Sequence, residues 1–157
     1  MVWDNIVLSN TFYRELEPLP GVKALDPLFP AIEDHHDVYF VTSRAGKTVK
    51  RQTEDWLKHY LGYDERFGCS QYAPTVVIVG KDDKGNAAKA LNLTVFIDDK
   101  LENVIAVKNA VPKCRVYLLN RRYNQSDLDD QYIGGKMHNY IRVNTVQEFI
   151  DAELDNL

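Results

Sequence analysis

Two aspartates in a row, Asp98-Asp99, close the apolar run Val95-Phe96-Ile97. Adjacent carboxylates at the end of a buried segment repel each other and lose hydration unless a cation or hydrogen-bond donors compensate. A hard divalent ion such as Mg²⁺, held through one or two carboxylates plus water, supplies that compensation. The structural alternative is that Asp99 caps a helix beginning near Leu101, which accounts for one carboxylate but not both. A second group, Thr42-Ser43-Arg44, follows the run Val38–Val41. Two hydroxyls and a guanidinium ahead of a helix make an anion pocket, against the simpler reading of a helix cap by Thr42 or Ser43. Third, Gly80 leads into Lys81-Asp82-Asp83-Lys84-Gly85, with Lys89 beyond. A lysine here can neutralise a phosphate or an anionic intermediate, and a solvated loop lysine is the plain alternative. No Gly-Lys-Ser/Thr follows Gly80 at the distance a nucleotide-cradling loop requires. The histidines His35, His36, His59 and His138 form no zinc-like spacing, and His35-His36 reads as a solvated pair. Gly68-Cys69-Ser70 lacks the flanks of a nucleophile elbow.

These residues need rigid elements to hold them. Val38–Val41, Thr75–Val79, Thr94–Ile97 and Arg115–Leu119 are short runs rich in β-branched and aromatic residues. Their nearly continuous apolar character is that of parallel strands covered on both faces. Between them lie helical stretches. Lys47–Leu61 places Val49, Trp56, Leu57, Tyr60 and Leu61 on one face, with Gly62 as the C-cap. Asn86–Leu91 and Leu101–Val107 predict two shorter helices. Thr145-Val146-Gln147-Glu148 is a capping-box pattern ahead of Phe149, Ile150 and Leu154. Tyr140–Val143 predicts a fifth, edge strand, Pro20–Asp37 two short helical pieces, and Asn120–Lys136 a long surface loop. Alternating strands and helices predict an α/β fold with a doubly wound parallel sheet, in which ligands sit at the carboxyl ends of the strands. All three candidate groups stand at such ends.

The length of 157 residues predicts one compact domain. Nineteen Lys and Arg against 23 Asp and Glu give a net charge of −4, which disfavours bulk nucleic-acid binding. Cys69 and Cys114 form no Cys-x-x-Cys pair and are too few to staple the fold, so a reducing, cytoplasmic setting is expected. No apolar run approaches the ~20 residues that span a bilayer, and Met1-Val2-Trp3-Asp4 does not start a signal peptide.

Together these motifs resemble the haloacid dehalogenase superfamily, and within it the small 5′-nucleotidases related to 5′(3′)-deoxyribonucleotidases. The resemblance runs from Phe12 to the C-terminus, with Phe12–Gly21 similar to the end of that family's small cap. It implies a three-layer Rossmann-like core over residues 21–157 and a cap remnant over residues 1–20. Val38–Arg44 is similar to the second motif of the family, which implies phosphate binding by Thr42 with Ser43 and Arg44 beside it. Lys84 best fits the third motif and Lys89 is the runner-up; Phe96–Asn103 resembles the fourth, with Asp98 and Asp99 on Mg²⁺. The resemblance thus implies Mg²⁺-dependent hydrolysis of a nucleoside monophosphate or another small phosphomonoester.

Family members begin with an apolar strand ending in Asp-x-Asp, whose first Asp is the nucleophile and whose second is the general acid. No Asp-x-Asp stands upstream of Phe12 here. The resemblance therefore implies that the first, central strand and most of the cap are missing, and that the isolated chain is close to inert. A second copy or a separate polypeptide completing the sheet is the expected partner. A non-catalytic binding or interaction protein on the same scaffold is the competing expectation.

Overall fold

A computed structural model describes residues 9–19, 36–61, 75–80, 83–125, 132–133, 136–137 and 139–155. Among the described residues the architecture is α/β with parallel sheets and four α-helices, consistent with a Rossmann-like fold. The chain divides into two compact units, Met1–Val79 and Gly80–Leu157.

In the first unit, β1 (Tyr39–Thr42) pairs in parallel with β2 (Thr75–Ile78), in a register running from Tyr39 opposite Thr75 to Thr42 opposite Ile78. The connecting helix α1 (Val49–Leu61) packs Leu57 and Leu61 against Val76, with Val38, Phe40 and Trp56 around them. Gly46 sits at φ 134°, a conformation only glycine adopts readily, and lets the chain turn between β1 and α1. The buried amide of Gln52 fastens the Ser9–Leu19 segment to α1. Its Oε1 accepts from Tyr13 N at 2.8 Å, and its Nε2 donates to Ser9 O at 3.0 Å and to Thr48 Oγ1 at 2.8 Å. Trp56 Nε1 adds a bond to Leu16 O at 2.6 Å.

The second unit holds the parallel order β3 (Val95–Asp98), β4 (Arg115–Leu119), β7 (Ile141–Val143). Strand alternation sends Phe96, Val116 and Leu118 to one face, where they meet Ala88 of α2 (Lys84–Ala90) and Val104 and Val107 of α3 (Leu101–Ala110). Tyr117, Leu119 and Val143 take the other face with Val146, Phe149 and Ala152 of α4 (Val146–Leu154). Helices therefore cover both faces of this sheet, which is why its strands read as continuous apolar runs. Thr145 Oγ1 accepts from Glu148 N at 3.1 Å as the N-cap of α4. The reciprocal bond of the expected capping box goes one residue earlier, from Asn144 N to Glu148 Oε2 at 2.7 Å. On the β4 side of α4, the buried Glu153 carboxylate accepts from Tyr117 Oη at 2.5 Å and from Arg115 Nε at 3.1 Å.

Several expectations change. The strands of the first unit are only partly covered: every residue of β1 is half-buried, β2 buries Val76 alone, and among the described residues these two strands pair only with each other. The helix expected from Asn86 begins at Lys84, and that expected to end at Val107 runs to Ala110. Asn120–Lys136 is not a plain loop. It contains a 3₁₀ turn at Arg122–Asn124 and the first strand of an antiparallel pair, β5 (Tyr132–Ile133) with β6 (Lys136–Met137). His36 is half-buried, and its Nε2 is buried without a hydrogen-bond partner among the described residues, where a solvated residue was expected. The helical pieces expected in Pro20–Asp37 fall almost wholly outside the described residues, as do Gly62, His35, Cys69 and Lys81.

Candidate functional site

Asp98 is the last residue of β3, two after Phe96, so its side chain leaves the sheet on the face covered by α2 and α3. Lys84 opens α2 on that face, and its Nζ lies 2.5 Å from Asp98 Oδ2. The Lys84 side chain is 13% exposed and that of Asp98 5%. A pair so withdrawn from water persists only if the remaining lone pairs are also satisfied. Asp98 Oδ1 accepts from Lys100 N at 2.9 Å and from Asn103 Nδ2 at 3.0 Å. The compensation that the sequence demands for a buried carboxylate is thus an ammonium and two N–H donors.

Glycine sets how closely α2 can approach. A Cβ on Gly85 would stand 2.8 Å from Ala106 O of α3, so only glycine permits this separation of the two helices. The residue carrying the ammonium and the residue permitting its approach are neighbours. Asparagine at 103 lies three residues past Lys100, the N-cap of α3, where an amide can turn back to the strand end.

Asp99 does not cap α3; the N-cap is Lys100, with no side-chain cap bond. Instead Asp99 Oδ2 accepts from the Tyr123 hydroxyl. Loss of hydration at that hydroxyl, together with the hydrogen bond to Asp99, pushes the Tyr123 phenol up to about 12. Asn124 Nδ2 donates to Asp99 O and to Leu119 O, both at 2.8 Å, and so ties the turn after β4 to the end of β3. Asn124 Oδ1 accepts from Arg121 N at 2.8 Å, and Arg142 Nη2 donates to Asn124 O at 3.1 Å. Asn103, Tyr123 and Asn124 were not among the candidate site residues. Asn103 closes the stretch that resembles the fourth motif, and Tyr123-Asn124 also resembles this family branch, but neither resemblance gave these residues a role.

The other candidates are placed as follows. Thr42 ends β1, its carbonyl accepting from Val79 N at 3.0 Å, and its Oγ1 accepts from Arg44 N at 3.4 Å. Neither Thr42 nor Ser43 caps α1, which begins at Val49, and Ser43 is exposed. The Arg44 guanidinium donates to Thr53 Oγ1 at 3.2 Å and lies 5.0 Å over the Tyr13 ring, where loss of hydration lowers its pKa. Lys89 is exposed and lines a cavity of about 460 Å³ beside Thr94 and Cys114. Those residues precede β3 and β4, so Lys89 is at the opposite end of the strands from Asp98. Among the described residues, no cluster of three or more His, Cys, Asp or Glu side chains could hold a metal, and no helix is long and apolar enough to cross a membrane.

Comparison with known proteins adds one relationship. No family model matches the chain, and no solved structure matches it. A protein of Halalkalibacterium halodurans named "Putative nucleotidase BH1399" is 25% identical over 121 residues, which cover 74% of this chain. The matched stretch covers 53% of that protein, so the chain spans about half the length of the curated relative it matches.

Proposed function

We propose that the chain is a haloacid-dehalogenase-like phosphatase domain of the 5′-nucleotidase type, which binds a nucleoside monophosphate together with Mg²⁺. The observation that carries this reading is the Lys84–Asp98 pair at the carboxyl end of a parallel strand, with a second carboxylate next to it. The name of the Halalkalibacterium halodurans relative supports a nucleotide as substrate. A metal agrees with the donor set. Asp98 and Asp99 offer hard oxygens, and each carboxylate oxygen has room for two partners, so Asp98 Oδ2 can meet a cation while keeping Lys84. Mg²⁺ bound there would neutralise charge on a phosphoryl oxygen.

The residues have distinct tasks in this reading. Lys84 has three N–H donors, one of which is spent on Asp98, and the others are available to an anionic oxygen. Asn103 and the Lys100 N–H hold the Asp98 carboxylate at fixed orientation, which is the preorganisation that charge stabilisation needs. Thr42, Ser43 and Arg44 are assigned to the phosphate on the sequence pattern at the end of β1. No Asp-x-Asp stands upstream of Phe12, so we assign the chain on its own to binding, with turnover close to background. Its proposed partner is a second copy or a separate chain that completes the sheet.

Calorimetric titration with a deoxynucleoside monophosphate in the presence of Mg²⁺, run beside a phosphate-release assay, tests this. Expected are binding that Asp98→Asn abolishes and phosphate release near background. Turnover lost in Asp98→Ala would refute the inactive half of the reading. Absence of binding, or binding that Asp98→Asn leaves intact, would refute the site.

A further inference from the structure

The mostly exposed ring of Tyr123 stands at the carboxyl rim of the β3–β4–β7 sheet, and its hydroxyl touches Asp99. We propose that this ring is the platform on which the nucleobase of a bound nucleoside monophosphate stacks; the inference rests on the nucleotidase reading and deepens it. Tyr123 is 64% exposed, the largest exposure among the described large hydrophobic residues. Leaving an aromatic ring in water forfeits the apolar burial it could supply. Here the hydroxyl is bonded to Asp99, so the group still without a partner in that contact is the π-face.

The backbone segment that carries the ring is also tied down. It is the Arg122–Asn124 turn, whose Asn124 amide is clamped to two carbonyls and whose backbone carbonyl accepts from Arg142. Arg142 Nη1 donates further to Asn120 Oδ1 at 2.7 Å, and Asn120 Nδ2 to Asn144 Oδ1 at 2.8 Å. An aromatic side chain on an ordered turn and bonded at its hydroxyl has less conformational entropy to lose when a ligand settles on it. Base stacking on such a ring tolerates any base, because every base has a π-face. A phosphate held at the Asp98–Asp99 end leaves the rest of a mononucleotide within reach of the residue hydrogen-bonded to Asp99. The chemistry selected is a planar heterocycle attached to a sugar phosphate, with purines favoured over pyrimidines by stacking area.

The test compares AMP with ribose 5-phosphate, which has the same phosphate and sugar but no base, by calorimetry on the full chain with Mg²⁺. AMP is expected to bind roughly 5- to 100-fold tighter. That advantage should persist in Tyr123→Phe, which keeps the ring, and fall to near onefold in Tyr123→Ala. As a readout that needs no variant, the ring-proton resonances of Tyr123 should move on adding AMP but not on adding ribose 5-phosphate. Equal binding of the two ligands, or an AMP advantage that survives Tyr123→Ala, overturns the stacking platform while leaving the phosphate site in place. Failure of both ligands to bind overturns the nucleotidase reading and this inference together.

Discussion

Asp98 shows how one side chain can be demanded by two different arguments. A carboxylate that is 5% exposed requires compensation whatever the protein does, and Lys84, Asn103 and the Lys100 N–H meet that requirement. Removing either charge leaves the other stranded in a dry place. Asp98→Asn and Lys84→Met should each lower the unfolding free energy by about 1–3 kcal/mol. The double variant should lose clearly less than the sum, as read from urea denaturation of all four proteins. Additive losses would mean that the pair is not coupled. The motif Asp98-Asp99 was legible in the sequence because two acids after an apolar strand need an explanation. The choice of Lys84 over Lys89 was open to spacing alone, and the helix that begins at Lys84 places its ammonium on Asp98. Tyr123 was visible as part of the family resemblance but without a role, since an aromatic residue in a polar stretch reads equally as packing or as surface.

At the level of the elements, the strands were legible from continuous apolar runs, because helices cover both faces of β3–β4–β7. Their ends were off by a residue, and the polar stretch after β4 concealed a turn and a hairpin strand, because local hydrogen bonding there leaves no hydrophobic period. Gly85 carries the clearest prediction at this scale. Gly85→Ala should destabilise by about 1–3 kcal/mol, since the new methyl meets the Ala106 carbonyl at 2.8 Å. The same change should weaken ligand binding through Lys84, measured by titration with a nucleoside monophosphate. A variant with unchanged stability would show that α2 and α3 part freely. The Tyr117–Glu153–Arg115 cluster predicts a pH response. Burial, then the bond to Glu153, raise the Tyr117 phenol to about 12, against an ordinary value of 10.0. A group raised in the folded state stabilises fully below its unfolded pKa, so this contribution is present below pH 10 and is lost as the pH climbs towards 12. Thermal unfolding across that window should fall less steeply in Tyr117→Phe than in the parent chain.

For the whole molecule, the parallel strands fall into two sets, one in each compact unit. Among the described residues, β1 pairs with β2 and with no other strand, and β3 pairs with β4 and with no other. Unpaired strand edges present N–H and C=O groups that recruit further strands. Sedimentation velocity over a wide concentration range should therefore show self-association, or a shift to a larger species when a peptide strand carrying Asp-x-Asp is added. A monomer at every concentration, unmoved by such a peptide, would argue against completion of the sheet by a second chain. The α/β class was readable from the order of runs and helical periods. The Asn124 side chain, finally, has a chemical lifetime of its own. Hydrolysis of that amide to an acid during ageing would replace a donor with an acceptor facing the carbonyls of Asp99 and Leu119, so old protein should shed the turn before it loses the sheet.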